Sequence, residues 1–318
     1  MINPYSGAHF FSFFGVLARR IWECLTGNGG AIASDEVQLA VLSCSALACG
    51  LLGPFLVLKR MSMFVNSLSH TTLLGIAVAF LFASHWWGSG ITDLSTLLLG
   101  AGIAAILTAG LTELLSRVFR LAPDAAIGLV FTTLFAIGVI LVSVFTRDAH
   151  LGTEAVTGNC DALQLSDLRF SASIALVNLA VVIVLYRPLM LLSFDEPLLR
   201  ALGFSAPLWR ICLFFLTALT VISSFRAVGV LVVLALLLGP YLTMRLFCHR
   251  LNRLILWTPL CGIGIIVVSV ALSRSILSGT GIALSTGGIL ALVTALVFLG
   301  AVAIRTISRK YIDIKIKI

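Results

Sequence analysis

The chain has 318 residues, 60% of them AVILMFWYC and only 11% charged, with a formal net charge of +8. Soluble domains carry about a quarter of their residues as charges to keep a wetted surface, so a soluble globular protein, a disordered chain and a secreted disulfide scaffold are all excluded. The basic residues flank apolar runs instead of forming a patch, so they read as topology signals and not as a nucleic-acid interface.

Residues 1–36 form an N-terminal segment in which an interfacial helix is expected over residues 8–26. Its Phe-rich start precedes Arg19 and Arg20, the reverse of the order in a signal peptide. Nine candidate spans follow, at 37–58, 62–84, 94–116, 126–146, 170–188, 208–225, 227–247, 254–273 and 284–304. The pair around Arg226, joined by a tight turn near Ala227 to Gly229, leaves the count at eight to nine. The expected fold is an all-α, polytopic bundle of about nine transmembrane helices over residues 37–304, followed by a basic tail at 305–318. No loop is long enough for a further domain.

Placing the loop after the first span inside puts Lys59, Arg60, Arg117, Arg120, Arg187, Arg200, Arg210, Arg245 and most other basic residues on the cytoplasmic side. Arg19, Arg20, Arg147, Arg169, Arg226 and Arg274 are left outside, which predicts a cytoplasmic C-terminus. Cys44, Cys49, Cys212 and Cys261 lie inside apolar runs, where a free thiol behaves as a small hydrophobe, so neither disulfides nor a zinc site is expected. The chain contains no GxxxxGK[ST] phosphate loop, so it is not expected to hydrolyse nucleotide itself. It also lacks the HExxH and GxSxG patterns of a hydrolase.

In the second span, Lys59 and Arg60 set the turn at the membrane surface, and a helix from Met61 places His70 roughly 14 Å deeper, near the midplane. Ionisable groups at that depth are expensive and tend to face a pathway, and a neutral imidazole can ligate a metal. Asn66 shares its face at i, i+4. One His with one Asn falls short of the usual ligand count of a metal site, so a packing histidine bonded to a neighbouring span stands as the competing reading.

Between two later spans, Ser193 to Gly203 (SFDEPLLRALG) reads as a short helix. Ser193 and Glu196 fit an S-x-x-E capping box, Pro197 suits a first turn, and Gly203 suits a left-handed C-terminal position. Leu198, Leu199, Ala201 and Leu202 would lie on the membrane surface or in a partner's groove. Ala101, Ala105 and Ala109 form a small-residue ladder for close helix packing, and Glu113 with Arg117 forms an i, i+4 ion pair. Pro54, Pro240 and Pro259 stand inside spans. His85 and His150 fall on the outer side, at loops or an entry mouth.

The segment GPFLVLKRMSMFVNSLSHTTLLGIAVAFL, with PDAAIGLVFTTLFAIGVILVS and FDEPLLRALGF followed by FRAVGVLVVLALLLGPYLTMRL, resembles the permease subunits of bacterial ABC importers of the manganese/zinc/iron family. SLSHTTLLG, with HLGTEAV after the fourth span, resembles one of the two permeases of a manganese-type heterodimeric system. The resemblance implies a type II ABC importer permease with no permanently bound cofactor, moving divalent manganese, zinc or iron by alternating access in the bacterial cytoplasmic membrane. It implies a second permease subunit, separate cytoplasmic ATPase subunits and an extracytoplasmic metal-binding lipoprotein as partners. It also implies that Asn66 and His70 match the family's Asp and His on the metal pathway, with Asn replacing a hard anionic ligand. Residues of about 193–204, with Asp195, Glu196, Pro197, Leu198, Arg200, Ala201, Leu202 and Gly203, would form the coupling helix seated on the ATPase. An iron-siderophore or cobalamin permease is the alternative within this class. An ion-gradient secondary transporter is a weaker one, because acidic residues stand at loops and span ends and not inside spans.

Overall fold

The computed structural model describes residues 5, 10–26, 33–87, 94–145, 160–281 and 284–316. Among these the secondary structure is helical: α1 (Phe10–Leu25), α2 (Ser34–Leu58), α3 (Ser62–Trp87), α4 (Leu94–Val118), α5 (Pro123–Phe145), a 3-10 turn (Cys160–Ala162), α6 (Leu165–Val184), α7 (Tyr186–Phe194), α8 (Glu196–Ala201), α9 (Ala206–Val228), α10 (Val230–Arg245), α11 (Leu251–Thr280) and α12 (Thr286–Ile316). A bilayer satisfies no backbone hydrogen bond, so a spanning segment must satisfy its own, and a helix does so. Eight of these helices are long and apolar enough to cross a membrane. The ninth expected span is α10, whose 16 residues reach only about 24 Å.

α2 is the hub, packed against α6, α9, α10 and α11, and it is apolar on all sides, as a helix surrounded by others must be. α3, α4 and α5 form a second group, tied to the hub through α9. α5 turns Ile137, Ile140 and Val144 outward, an apolar face not covered by the described residues of this chain. Lipid is as apolar as leucine, so helix association here depends on close packing and polar contacts. Small residues supply the packing. A Cβ on Gly75 would stand 2.2 Å from the carbonyl oxygen of Gly100, and one on Gly50 would stand 2.7 Å from Cα of Pro259. The alanine ladder of α4 behaves as expected, with Ala101, Ala105 and Ala109 all buried. Pro54, Pro240 and Pro259 lie inside α2, α10 and α11.

Three expectations are corrected. The span expected at 170–188 runs from Leu165 to Val184 and stops at Leu185, where the backbone leaves helical geometry (φ −103°, ψ 22°) before α7 begins. The turn near Ala227 narrows to Gly229 alone, whose φ of +79° favours glycine. Ser193 does not cap α8: it sits inside α7 and its hydroxyl donates to the Leu189 carbonyl at 2.9 Å. The cap is Asp195, whose Oδ1 accepts from the Leu198 amide at 3.0 Å. Part of the reason is local. Asp195 directly precedes Glu196 and Pro197, which takes the early-helix position that suits its missing N–H, and Glu196 has a better use for its carboxylate than reciprocal capping.

The bundle has two polar ends. At one end lie Lys59, Glu113, Glu196 and Arg210. At the other, Asp35 pairs with Arg274, and Asp161 accepts from Gln38 at 3.0 Å and from Thr286 at 2.7 Å.

Candidate functional site

His70 lies in the third turn of α3, about 12 Å along the helix from Ser62 at its rise per residue, within the apolar part of the bundle. Its ring is half-buried and meets two rings of α5: Phe135 edge-on, at a centroid distance of 5.2 Å and 65°, and Phe131 at 5.5 Å and 50°. Asn66 is half-buried one turn earlier. The next residue, Thr71, is fully buried, and its hydroxyl lies 2.9 Å from that of Thr108 on α4. His70 is therefore fixed by α5 on one side and by the α3–α4 contact on the other. Among the described residues no three His, Cys, Asp or Glu side chains gather as a metal-ligand set, so within them His70 and Asn66 offer a nitrogen and an amide oxygen without a third ligand of those types. The side chain of His85, and residues 146–159 with His150 and the whole of HLGTEAV, lie outside the described residues.

The second constellation is a charge cluster built around α8. Glu196 Oε1 accepts from Arg200 at 2.7 Å and from Arg210 at 2.8 Å, while Oε2 accepts from Lys59. Arg210 also reaches Glu113 Oε2 at 3.3 Å, and Glu113 Oε1 accepts from Arg117 at 2.7 Å. The cluster joins the C-terminal cap of α2, the last turns of α4, α8 and the second turn of α9. Burial alone would raise the Glu196 carboxyl, but Lys59, Arg200 and Arg210 together hold it at about 2, so it stays ionised at any physiological pH. Lys59, Glu113, Glu196 and Arg210 line a cavity of about 440 Å³ with Thr112, Asp124 and Ser193.

α8 is pinned from below and open above. Leu199 is fully buried, whereas Leu198 and Leu202 are 44% and 57% exposed, and Asp195, Pro197, Arg200, Ala201 and Gly203 are also exposed. Gly203 has φ +85°, the left-handed position expected of it. The short charged helix thus leaves an apolar rim, Leu198 and Leu202, uncovered within this chain. The sequence identified Glu113–Arg117 and the α8 segment, but not the bridge from Arg210 to both carboxylates. The available signal was a cation and two carboxylates at span ends, where unpaired charge is costly.

The ABC 3 transport family matches residues 35–305. The chain is 34% identical over 304 residues to a "Probable metal transport system membrane protein" of Chlamydia muridarum, covering 95% of this chain and 94% of that one. It is 34% identical over 229 residues to the manganese transport system membrane protein MntD of Bacillus subtilis, covering 68% and 75%. Among solved structures, PsaBC from Streptococcus pneumoniae in complex with Fab superposes with a TM-score of 0.71 at 22% identity, over 90% of this chain and 95% of that one; at that identity the likeness establishes the fold.

Proposed function

Because the chain belongs to the ABC 3 transport family, we propose that it is the membrane-spanning permease subunit of an ATP-driven importer of divalent metal ions, manganese foremost. Relatives named for metal or manganese transport support the cargo. They give no support to the siderophore or cobalamin alternative, nor to an ion-gradient transporter. The observation that carries the mechanical part of the reading is the pinned α8: a six-residue helix tied by Glu196 to the ends of α2 and α9, with an exposed apolar rim.

In this reading residues 37–304 are the translocating unit in the bacterial cytoplasmic membrane, and 305–318 are a cytoplasmic tail. Asp195, Glu196, Pro197, Leu198, Arg200, Ala201, Leu202 and Gly203 form the coupling surface. A separate ATPase subunit seats there and moves the bundle; the chain is not itself the enzyme. An extracytoplasmic lipoprotein delivers the metal. His70 lends its imidazole to the passing ion, and Asn66 lends a neutral oxygen. A second permease subunit, different from this chain and retaining an acidic ligand, supplies the charge that Asn66 lacks. Mn, Fe and Zn share this ligand palette and are sorted by geometry and ligand type.

The test is ATP-dependent uptake of radiolabelled manganese, zinc and iron into proteoliposomes that contain the assembled complex, wild type beside His70→Ala. Uptake of a free ion, lost in the variant while the complex still assembles, is expected. Uptake indifferent to His70 would return that residue to a packing role.

A further inference from the structure

At the end of the bundle that carries α8, a second cavity of about 530 Å³ opens between α10, α11 and α12. Leu58 lines both this cavity and the one around Glu196, which fixes the two at the same membrane-surface level. Three cationic or titratable bases edge it: Arg245 from the last turn of α10, His249 from the following loop, and Arg305 from α12. No carboxylate is among its described lining residues, in contrast to the neighbouring cluster, where every cation has an acid. Its remaining wall is apolar, with Leu58, Leu254 and Phe298.

Tyr241 supplies the decisive detail. Its side chain is fully buried and lines the cavity, with the Arg245 guanidinium one turn on as its polar neighbour, and no acceptor for the hydroxyl proton stands among the described residues. A buried donor without an acceptor is costly and calls for one. Two guanidinium groups and a hydroxyl donor around an apolar slot at the membrane surface match a ligand that is anionic at its head and apolar in its body. An oxyanion accepts bidentately from arginine, and a basic recess between transmembrane helices at an interface suits an anionic lipid head group.

We propose that this cavity is a binding site for an anionic phospholipid of the surrounding leaflet, the phosphate between Arg245 and Arg305 with Tyr241 donating to it, and an acyl chain along Phe298 and Leu254. Phe194, the residue just before the Asp195 cap of α8, also lines the cavity, so the lipid sits directly behind the ATPase-facing helix. The inference rests on the membrane fold and is independent of which ion is transported.

Native mass spectrometry of the full chain in detergent, titrated with palmitoyl-oleoyl phosphatidylglycerol or the phosphatidylcholine of the same chains, tests it without any transport readout. Phosphatidylglycerol is expected to bind the wild type more tightly, and Arg245→Gln with Arg305→Gln to weaken it by roughly thirtyfold, at about fivefold per arginine near a membrane surface. Tyr241→Phe, which keeps the ring and its packing, is expected to weaken it about fivefold. Phosphatidylcholine binding stays constant in all variants and reports that the fold is intact. Equal affinity for the two lipids, or phosphatidylglycerol binding unmoved by both variants, would overturn the site. Displacement by millimolar glycerol phosphate would make it a free-phosphate site, and displacement by the purified ATPase would make it a protein seat; either result also defeats the proposal.

Discussion

The Arg210 guanidinium holds Glu196 Oε1 at 2.8 Å and Glu113 Oε2 at 3.3 Å, one cation joining α8 to the end of α4. α4 in turn lies against α3 so closely that Gly75 and Gly100 touch through their backbones. A chain of direct contacts therefore runs from α8 to the helix that carries His70: Arg210, Glu113, the body of α4, and the Thr108–Thr71 contact beside the histidine. Packed helices transmit displacement because their cores are not continuously deformable.

Removing the bridge is expected to cost far more than removing an exposed partner of the same carboxylate. Arg210→Met leaves two largely buried carboxylates without their shared cation and should lower stability by about 1–3 kcal/mol. Arg200, 65% exposed in its side chain, should cost less than about 1 kcal/mol as Arg200→Met. Thermal unfolding of the two variants in the same detergent reads the difference.

Acid should remove the contribution of Glu196 in a defined window. Its carboxyl is depressed from 4.5 to about 2 in the folded chain, so the stabilisation is fully present above pH 4.5 and is lost as pH falls through about 2. The stability gap between wild type and Glu196→Gln, measured from pH 7 downward, should therefore hold to about pH 4.5 and close below it. A gap that closes near neutrality would mean that Glu196 is not ion-paired in solution.

Charge reversal at Arg200, or Leu202→Asp, alters the exposed side of α8 without touching the buried Leu199 anchor. Insertion and folding should persist, while metal uptake per ATP hydrolysed falls at least about tenfold, the weight of one lost interfacial anchor. Parallel assays of phosphate release and uptake in proteoliposomes separate uncoupling from simple loss of assembly.

Glycines provide an internal control on packing. Gly75→Ala forces its Cβ against the Gly100 carbonyl at 2.2 Å, a backbone contact that cannot rotate away, and should cost about 1–3 kcal/mol. Gly102→Ala and Gly110→Ala, on α4 with nothing within 4 Å of the added methyl, should be neutral or mildly stabilising through helix propensity. Thermal unfolding ranks all three.

Asn66→Asp restores a carboxylate one turn from His70. If the metal passes these residues, the KM for manganese should fall by about tenfold, equivalent to ~1.4 kcal/mol. Uptake kinetics that do not change would place Asn66 off the path and leave the missing charge to be explained elsewhere.

The sequence by itself determined the class and the outline. Apolar run length and charge placement located the long apolar helices, because a bilayer imposes a length and forbids unpaired polarity on each segment separately, but not all of their ends: the run expected at 170–188 begins at Leu165 and that expected at 254–273 continues to Thr280. The ordered motifs around His70 and Asp195 carried the family for the same reason: each is local in the chain. Only the tertiary structure decided which span ends meet. Arg210 and Glu113 are 97 positions apart, and nothing in either neighbourhood signals the other. Ser193 and Glu196 fit a capping pattern, yet Lys59, 137 positions away from Glu196, engages that carboxylate and leaves capping to Asp195. The same holds for Tyr241, an ordinary span residue in sequence, whose unanswered hydroxyl becomes visible once α10, α11 and α12 close around it. Ion pairs and orphaned donors are properties of distance in space, and a low-dielectric bundle makes each of them energetically decisive.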